Sequence, residues 1–249
     1  MQLIQVSSAD LHFSKIHWPG AQKQEVSRPM QMVNKVLNKI GAPLWLTPRF
    51  DYREDMVSME QVVNFQHLIA RVLDANVPGD VVELGCYIGS TTSIIGTILR
   101  EAGSDRGFHV YDSFDHNLSR SKMDVLGTFV SNMKKEGLEL PFIHRGDMYA
   151  TVPAELPSRI AFAHIDLGTG GNPEMHKKCL LHCLKHLYDR MSHGAIAVLM
   201  DYHEEGVTIQ GANTNPGVKQ ACDEFFADKE EKVYTLYGGP CSHGYFKKS

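Results

Sequence analysis

The chain has 249 residues, 43% of them hydrophobic and 22% charged, which suits one α/β domain large enough to bury a sizeable core. A formal net charge of −4 and a pI near 6.3 argue against the basic face that a nucleic-acid partner demands, and no run approaches the ~18 apolar residues of a bilayer span. Five cysteines (86, 179, 183, 222 and 241) and an opening MQLIQVSSADLHF without a basic start or apolar run speak against a disulfide framework or a secretory signal, and for a reducing, cytoplasmic setting.

Residues 1–57 read as an arm, broken by Pro19, Gly20, Pro29, Gly41, Pro43 and Pro48. Met30, Val33, Val36, Leu37 and Ile40 recur at helical spacing and predict one helix over 29–40. Trp18, Trp45, Phe50 and Tyr52 in the arm suit a lid over a substrate, an oligomer contact or a cap on the core. The domain proper, 58–249, opens on Ser58-Met59-Glu60-Gln61, a capping box. The stripe Val62, Phe65, Ile69, Val72 and Leu73 continues it as a helix to about residue 75, and Val77-Pro78-Gly79 stops the chain.

Strands and helices then alternate. A short buried strand at 80–85 is followed by helix 90–102, strand 107–112, helix 121–136 and strand 141–146. Strand 159–166, helix 173–188, strand 194–201 and helix 216–227 complete the series. Near-continuous apolar strands alternating with helices predict a parallel sheet covered on both faces. The tail differs: strands 232–237 and 244–247 are separated by a turn too short for a crossover helix, so they pair antiparallel. The expected class is α/β, a Rossmann-like class I methyltransferase sheet of parallel strands ending in an antiparallel hairpin.

Glu83-Leu84-Gly85-Cys86-Tyr87-Ile88-Gly89-Ser90 sits where the first strand feeds a helix. Glycines there let backbone approach a ligand, in the crevice outside the strand ends. The pattern is E-x-G-x-x-x-G rather than the G-x-G-x-x-G of nicotinamide enzymes. An acid beside a cofactor site favours a cation and repels a pyrophosphate. S-adenosylmethionine (SAM), which carries an ammonium and a sulfonium, fits it, with Glu83, Gly85, Tyr87, Gly89 and Ser90 as candidate contacts. Asp112 ends the second strand, as a ribose-binding carboxylate or as a turn or cap residue. Asp147 and Met148 follow the third strand, bordering the adenine or forming a turn. His164 and Asp166 share a face of the fourth strand. Asp166 and Asp201, at adjacent strand ends, suit Mg²⁺, a cation that lowers the pKa of a bound hydroxyl. The same two acids also suit plain solvation of the sheet edge, and His164 a satisfied core position.

These stretches resemble the TylF/MycF family of macrocin-type O-methyltransferases. The likeness runs from about Asp55 to the C-terminus through PGDVVELGCYIGST, YDSFDH, RGDMYATVP, AHIDLGTG, HGAIAVLMDYHEEG, PGVKQACDEFF and GYFKK. The resemblance implies SAM as methyl donor, a divalent metal (usually Mg²⁺), sugar hydroxyls as acceptors and a homo-oligomer. It implies that Glu83, Gly85 and Gly89 line the methionine end, that Asp112 holds the ribose with Ser113 beside it, that Asp147 lies near the adenine, and that Asp166 and Asp201 ligate the metal. Two departures are visible. The family's Asp-Gly-Asp-Leu-Tyr is here Asp166-Leu167-Gly168-Thr169-Gly170, which alters the loop facing the acceptor. Its Asp-Asp-Tyr is here Met200-Asp201-Tyr202, and a thioether is a poor ligand for a hard cation. Either His203 or Glu204 replaces the lost ligand, or the enzyme works without metal.

The expectation is therefore a SAM-dependent O-methyltransferase acting on a hydroxyl of a small molecule, with neither nucleic acid nor membrane as partner. Asp201 and His203 are the candidates for removing the acceptor proton, with His116 and His243 as further candidates. The alternatives are a metal-independent N- or carboxyl-methyltransferase and a catalytically silent SAM-binding partner subunit. Glu83 and the terminal hairpin argue against a nicotinamide dehydrogenase.

Overall fold

Ser27 accepts a hydrogen bond from the Met30 N–H at 3.4 Å, and with Pro29 in the first turn it starts α1, Arg28–Lys39. The computed structural model describes residues 27–46, 57–116, 123–168, 171–239 and 242–249. The arm aromatics Trp18, Phe50 and Tyr52, part of the glycine run (169–170), Cys241 and the first two residues of the helix expected over 121–136 lie outside these residues. The Asn34 side chain is buried and both donates to and accepts from the Leu46 backbone, each bond 2.7 Å, so the chain after α1 folds back along it. Met32, Val33, Val36 and Ile40 remain exposed.

The capping box forms as read: Gln61 N donates to Ser58 Oγ at 3.2 Å and Ser58 N to Gln61 Oε1 at 2.9 Å. It starts α2, Met59–Asp74, whose Val62, Phe65, Leu68, Ile69 and Val72 are all buried. Then follow β1 (Asp80–Leu84), α3 (Ser90–Glu101), β2 (Phe108–Asp112), α4 (Val125–Lys135) and β3 (Phe142–Arg145). A helix absent from the sequence reading, α5 (Met148–Glu155), comes next. It lacks an apolar stripe and contains Pro153, so no helical period announces it; what starts it is Asp147, whose Oδ1 accepts from Tyr149 N at 2.8 Å. The rest is β4 (Ile160–Ile165), α6 (Pro173–Tyr188), β5 (Met191–Met200), α7 (Gly217–Phe225), β6 (Tyr234–Leu236) and β7 (His243–Lys247).

The strands form one seven-stranded sheet in the order β3-β2-β1-β4-β5-β7-β6. β1 to β5 pair parallel, and β7 pairs antiparallel with both β5 and β6. The expected hairpin is present, but its second strand is the one inserted against β5. Burial explains the choice: Phe246 of β7 is buried, whereas Tyr234 of β6 is exposed and suits an edge. β4 is buried along its whole length and β5 over its last six residues, as central strands covered on both faces must be. No helix among the described residues is long and apolar enough to cross a membrane.

Candidate cofactor site

The carboxyl ends of β1, β2 and β4 meet at a cleft of about 700 Å³. Gly85 makes the meeting possible. Its φ is +83°, and a Cβ there would overlap the Asp166 carbonyl oxygen. The β1 tip is held from both sides, Gly85 N donating to Tyr111 O and Asp166 N to Leu84 O, each at 2.8 Å. Gly89 caps α3 at φ +86°, where a Cβ would run into Met133 and Phe129. No side chain caps α3, and Ser90 and Thr91 of its first turn line the cleft; the positive end of a helix there suits a carboxylate.

Asp112 shapes this loop. Its Oδ2 accepts from Cys86 N at 2.9 Å and Tyr87 N at 2.8 Å, and its Oδ1 from Phe114 N at 2.8 Å. Tyr87 itself takes a left-handed φ of +46°, a strained state for a side-chain-bearing residue that the Asp112 bonds support. Of the residues expected at the cofactor, Gly85, Tyr87, Ser90, Asp112, Ser113, Asp147, Met148 and Asp166 all line the cleft. Residues that the sequence reading missed line it too. Ile88 lies within the glycine loop, and Met175 and Cys179 sit one turn apart on α6; the i, i+4 spacing of the latter two was the available signal.

Glu83 and Gly89, expected at the cofactor, are not among the residues that line the cleft. Glu83 lies one residue inside the end of β1, so its side chain projects from the sheet face instead of the strand tip. It is fully buried, accepting from Thr92 Oγ at 2.5 Å through Oε2 and lying 3.1 Å from His164 Nδ1 through Oε1. A buried carboxylate needs such partners. It ties the first turn of α3 to β4 beneath the cofactor loop. His164 is fully buried, its ring nearly perpendicular to that of Phe65 with centroids 5.1 Å apart.

The cleft is acidic, with Asp112, Asp115, Asp147 and Asp166 in its wall and His116 at its margin. Burial pushes the Asp166 carboxyl up to about 7; His164 works against that shift, while the carboxylates of Asp201, Glu83 and Asp112 add to it. SAM fits this chemistry: the N-terminus of α3 for its carboxylate, acids for its two cationic centres, and room for a nucleoside.

Of the expected metal and base residues, Asp166 and His116 line the cleft, whereas Asp201, His203 and His243 do not. Asp201 turns the chain at φ +59°. Its Oδ1 accepts from Thr214 Oγ at 3.1 Å and its Oδ2 from Asn215 Nδ2. That turn buries Tyr202 and directs His203 to Ser242, whose Oγ is 3.1 Å from Nδ1. Neither Asp201 nor His203 lines the cleft. His243 is buried with Nε2 2.8 Å from Asn64 Nδ2. The set does not fit a divalent ion. Met200 offers only a thioether beside Asp201, and no group of three His, Cys, Asp or Glu among the described residues is placed to hold one.

Comparison with known proteins follows the same lines. The family model for macrocin O-methyltransferases (TylF) matches residues 22–135, which takes in the glycine loop and Asp112. The mycinamicin III 3''-O-methyltransferase of Micromonospora griseorubida is 29% identical over 171 residues, 59% of this chain and 64% of that enzyme. The chain therefore spans a little under two thirds of that relative's length. Among solved structures, the O-methyltransferase NovP superposes with a TM-score of 0.63 at 21% identity, over 90% of this chain and 100% of that one. The TDP-rhamnose 3'-O-methyltransferase of calicheamicin biosynthesis gives 0.53 at 17%, over 89% and 95%. An SAH-bound methyltransferase of Podospora anserina gives 0.56 at 13%, over 88% and 96%. These structural likenesses show the fold.

Proposed function

We propose that this chain, which belongs to the TylF/MycF family of macrocin-type O-methyltransferases, moves a methyl group from SAM to a hydroxyl of a small molecule, a sugar or natural-product intermediate. The observation that carries the reading is the acid-lined cleft at the ends of β1, β2 and β4, opening onto the uncapped start of α3. The substrates named for the relatives, a mycinamicin and a TDP-rhamnose, support a glycosyl acceptor.

When bound, SAM supplies an activated methyl group with a neutral thioether as leaving group. The chain's task is alignment and proton removal. Asp112 fixes the Cys86–Tyr87 loop; the α3 amides receive the methionine carboxylate; Asp147 and Met148 border the far end of the nucleoside. This reading moves the proton acceptor from Asp201 and His203 to Asp166. Asp166 lies in the cleft wall, and its carboxyl, raised to about 7, is suited to taking a proton near neutral pH. A cytosolic homo-oligomer belongs to the same proposal, supported by the exposed apolar residues of α1 and the buried free thiols of Cys86, Cys179, Cys183 and Cys222.

The test is calorimetry with SAM and S-adenosylhomocysteine (SAH), followed by transfer of labelled methyl to nucleotide sugars and glycosylated natural products. The expected result is binding of both nucleosides and one methylated hydroxyl product. Affinity for neither would sink the reading. Binding with no transfer to any acceptor would favour the silent partner subunit, which the lost carboxylate at Met200 makes the specific alternative.

A further inference from the structure

The end of β5 is built differently from the family pattern that its sequence resembles. Where that pattern has two successive carboxylates, this chain has Met200 and Asp201. Met200 is 6% exposed, and its Sδ lies 3.6 Å from Nε2 of Gln61. Gln61 is itself fully buried and spends its Oε1 on the capping box of α2. The thioether is thus packed between α2 and β5. Asp201 is occupied from the other side. Thr214 and Asn215, which precede α7, put one donor on each of its carboxylate oxygens. These two donors tie Asp201 to the segment before α7, off the cleft wall, and Met200 leaves a hard cation, which prefers oxygen donors, one carboxylate short.

We infer that Thr214 and Asn215 are positioning residues that hold Asp201 in place of the divalent cation of the resembled family, and that this chain carries out its chemistry without a bound divalent ion. The clamp stands on the geometry alone; the statement about chemistry rests on the proposed methyl transfer. Restoring a carboxylate at 200 supplies the missing oxygen ligand and removing both donors frees Asp201 to turn towards it, so the two changes together re-create an oxygen site.

The test is a Mn²⁺ titration of the full-length protein followed by electron paramagnetic resonance, with methyl transfer measured in parallel with and without EDTA. The wild type is expected to take up no stoichiometric Mn²⁺ and to keep its rate in EDTA. A variant combining Met200→Asp, Thr214→Ala and Asn215→Ala is expected to bind Mn²⁺ about tenfold or more tightly than the wild type, since ligand charge and freedom set such affinities. Stoichiometric Mn²⁺ uptake by the wild type, a rate lost in EDTA and restored by Mg²⁺, or equal uptake by wild type and a folded triple variant would each overturn the inference. Should the triple variant fail to bind SAH or to melt cooperatively, the wild-type titration decides alone. A protein that transfers no methyl group at all sinks the functional reading, while the Mn²⁺ titration still judges the clamp.

Discussion

Gly85 carries two constraints at once, a φ of +83° and a backbone contact with Asp166 that leaves no room for a methyl group. Gly85→Ala is expected to cost about 1–3 kcal/mol for the left-handed backbone alone, with the overlap in addition, and to abolish SAH binding; a chemical denaturation curve and calorimetry measure both. Glu83 behaves differently. Because it touches Thr92 and His164 instead of the cleft, Glu83→Gln should lower the melting temperature while leaving SAH affinity in the folded fraction nearly unchanged. A loss of SAH affinity without a loss of stability would return Glu83 to the cofactor wall. The sequence showed that an acid belonged two residues before the glycine, but not which way it pointed. A strand's period fixes a face, and only the neighbouring strands and helices decide whether that face is floor or rim.

At the scale of elements, apolar runs and caps made most of the order of β1 to β7 legible, because buried parallel strands have little freedom in composition. α5 escaped because its stability comes from its ends. Asp147 starts it. At its other end Arg190 donates to Leu156 O at 2.6 Å and Pro153 O at 2.9 Å, while the Tyr111 hydroxyl donates to Glu155 O at 2.7 Å. These bonds satisfy carbonyls that a helix C-terminus leaves unpaired, and their donors lie far away in sequence, where no local pattern reports them. The first residue of α5, Met148, lines the cleft, so the helix couples this remote cap to the cofactor. Arg190→Ala is expected to cost about 2 kcal/mol, the scale of hydrogen bonds to a charged group, to speed amide exchange in α5 ahead of the rest of the molecule, and to weaken SAH binding. Uniform exchange across all helices would show that Arg190 stabilises the fold without that route to the cleft. The insertion of β7 beside β5 escaped for a related reason: a hairpin's turn fixes which strands pair, and the rest of the sheet fixes which of the two is inside.

Across the whole molecule, the buried His243 and the half-buried Asp166 tie stability to pH in opposite directions. Burial, with His164 nearby, pushes His243 down to about 4. A depressed histidine stays neutral in the fold while its unfolded counterpart takes up a proton below about 6.5. Its contribution is therefore present above pH 6.5 and is lost as pH falls towards 4, amounting to about 3 kcal/mol over the full shift. His109, His176 and His182, also lowered first by burial, act in the same direction. Asp166 opposes them. With its folded value raised to about 7, it binds a proton that the unfolded chain has released, so its contribution is present below about pH 4 and is lost as pH rises through 7. Between these limits the slopes oppose, and the acid sensitivity of the wild type is blunted. Asp166→Asn removes only the opposing slope. The variant should be more stable than the wild type at pH 7.5, where Asp166 would be ionised in its desolvated site, and the gain should shrink steadily by pH 5. The same substitution should weaken SAM more than SAH, because the sulfonium loses a carboxylate that the neutral thioether never needed. An equal gain in melting temperature at pH 5 and pH 7.5 would mean that Asp166 does not titrate in this window, and the assignment of the acceptor's proton to it would fail with that result.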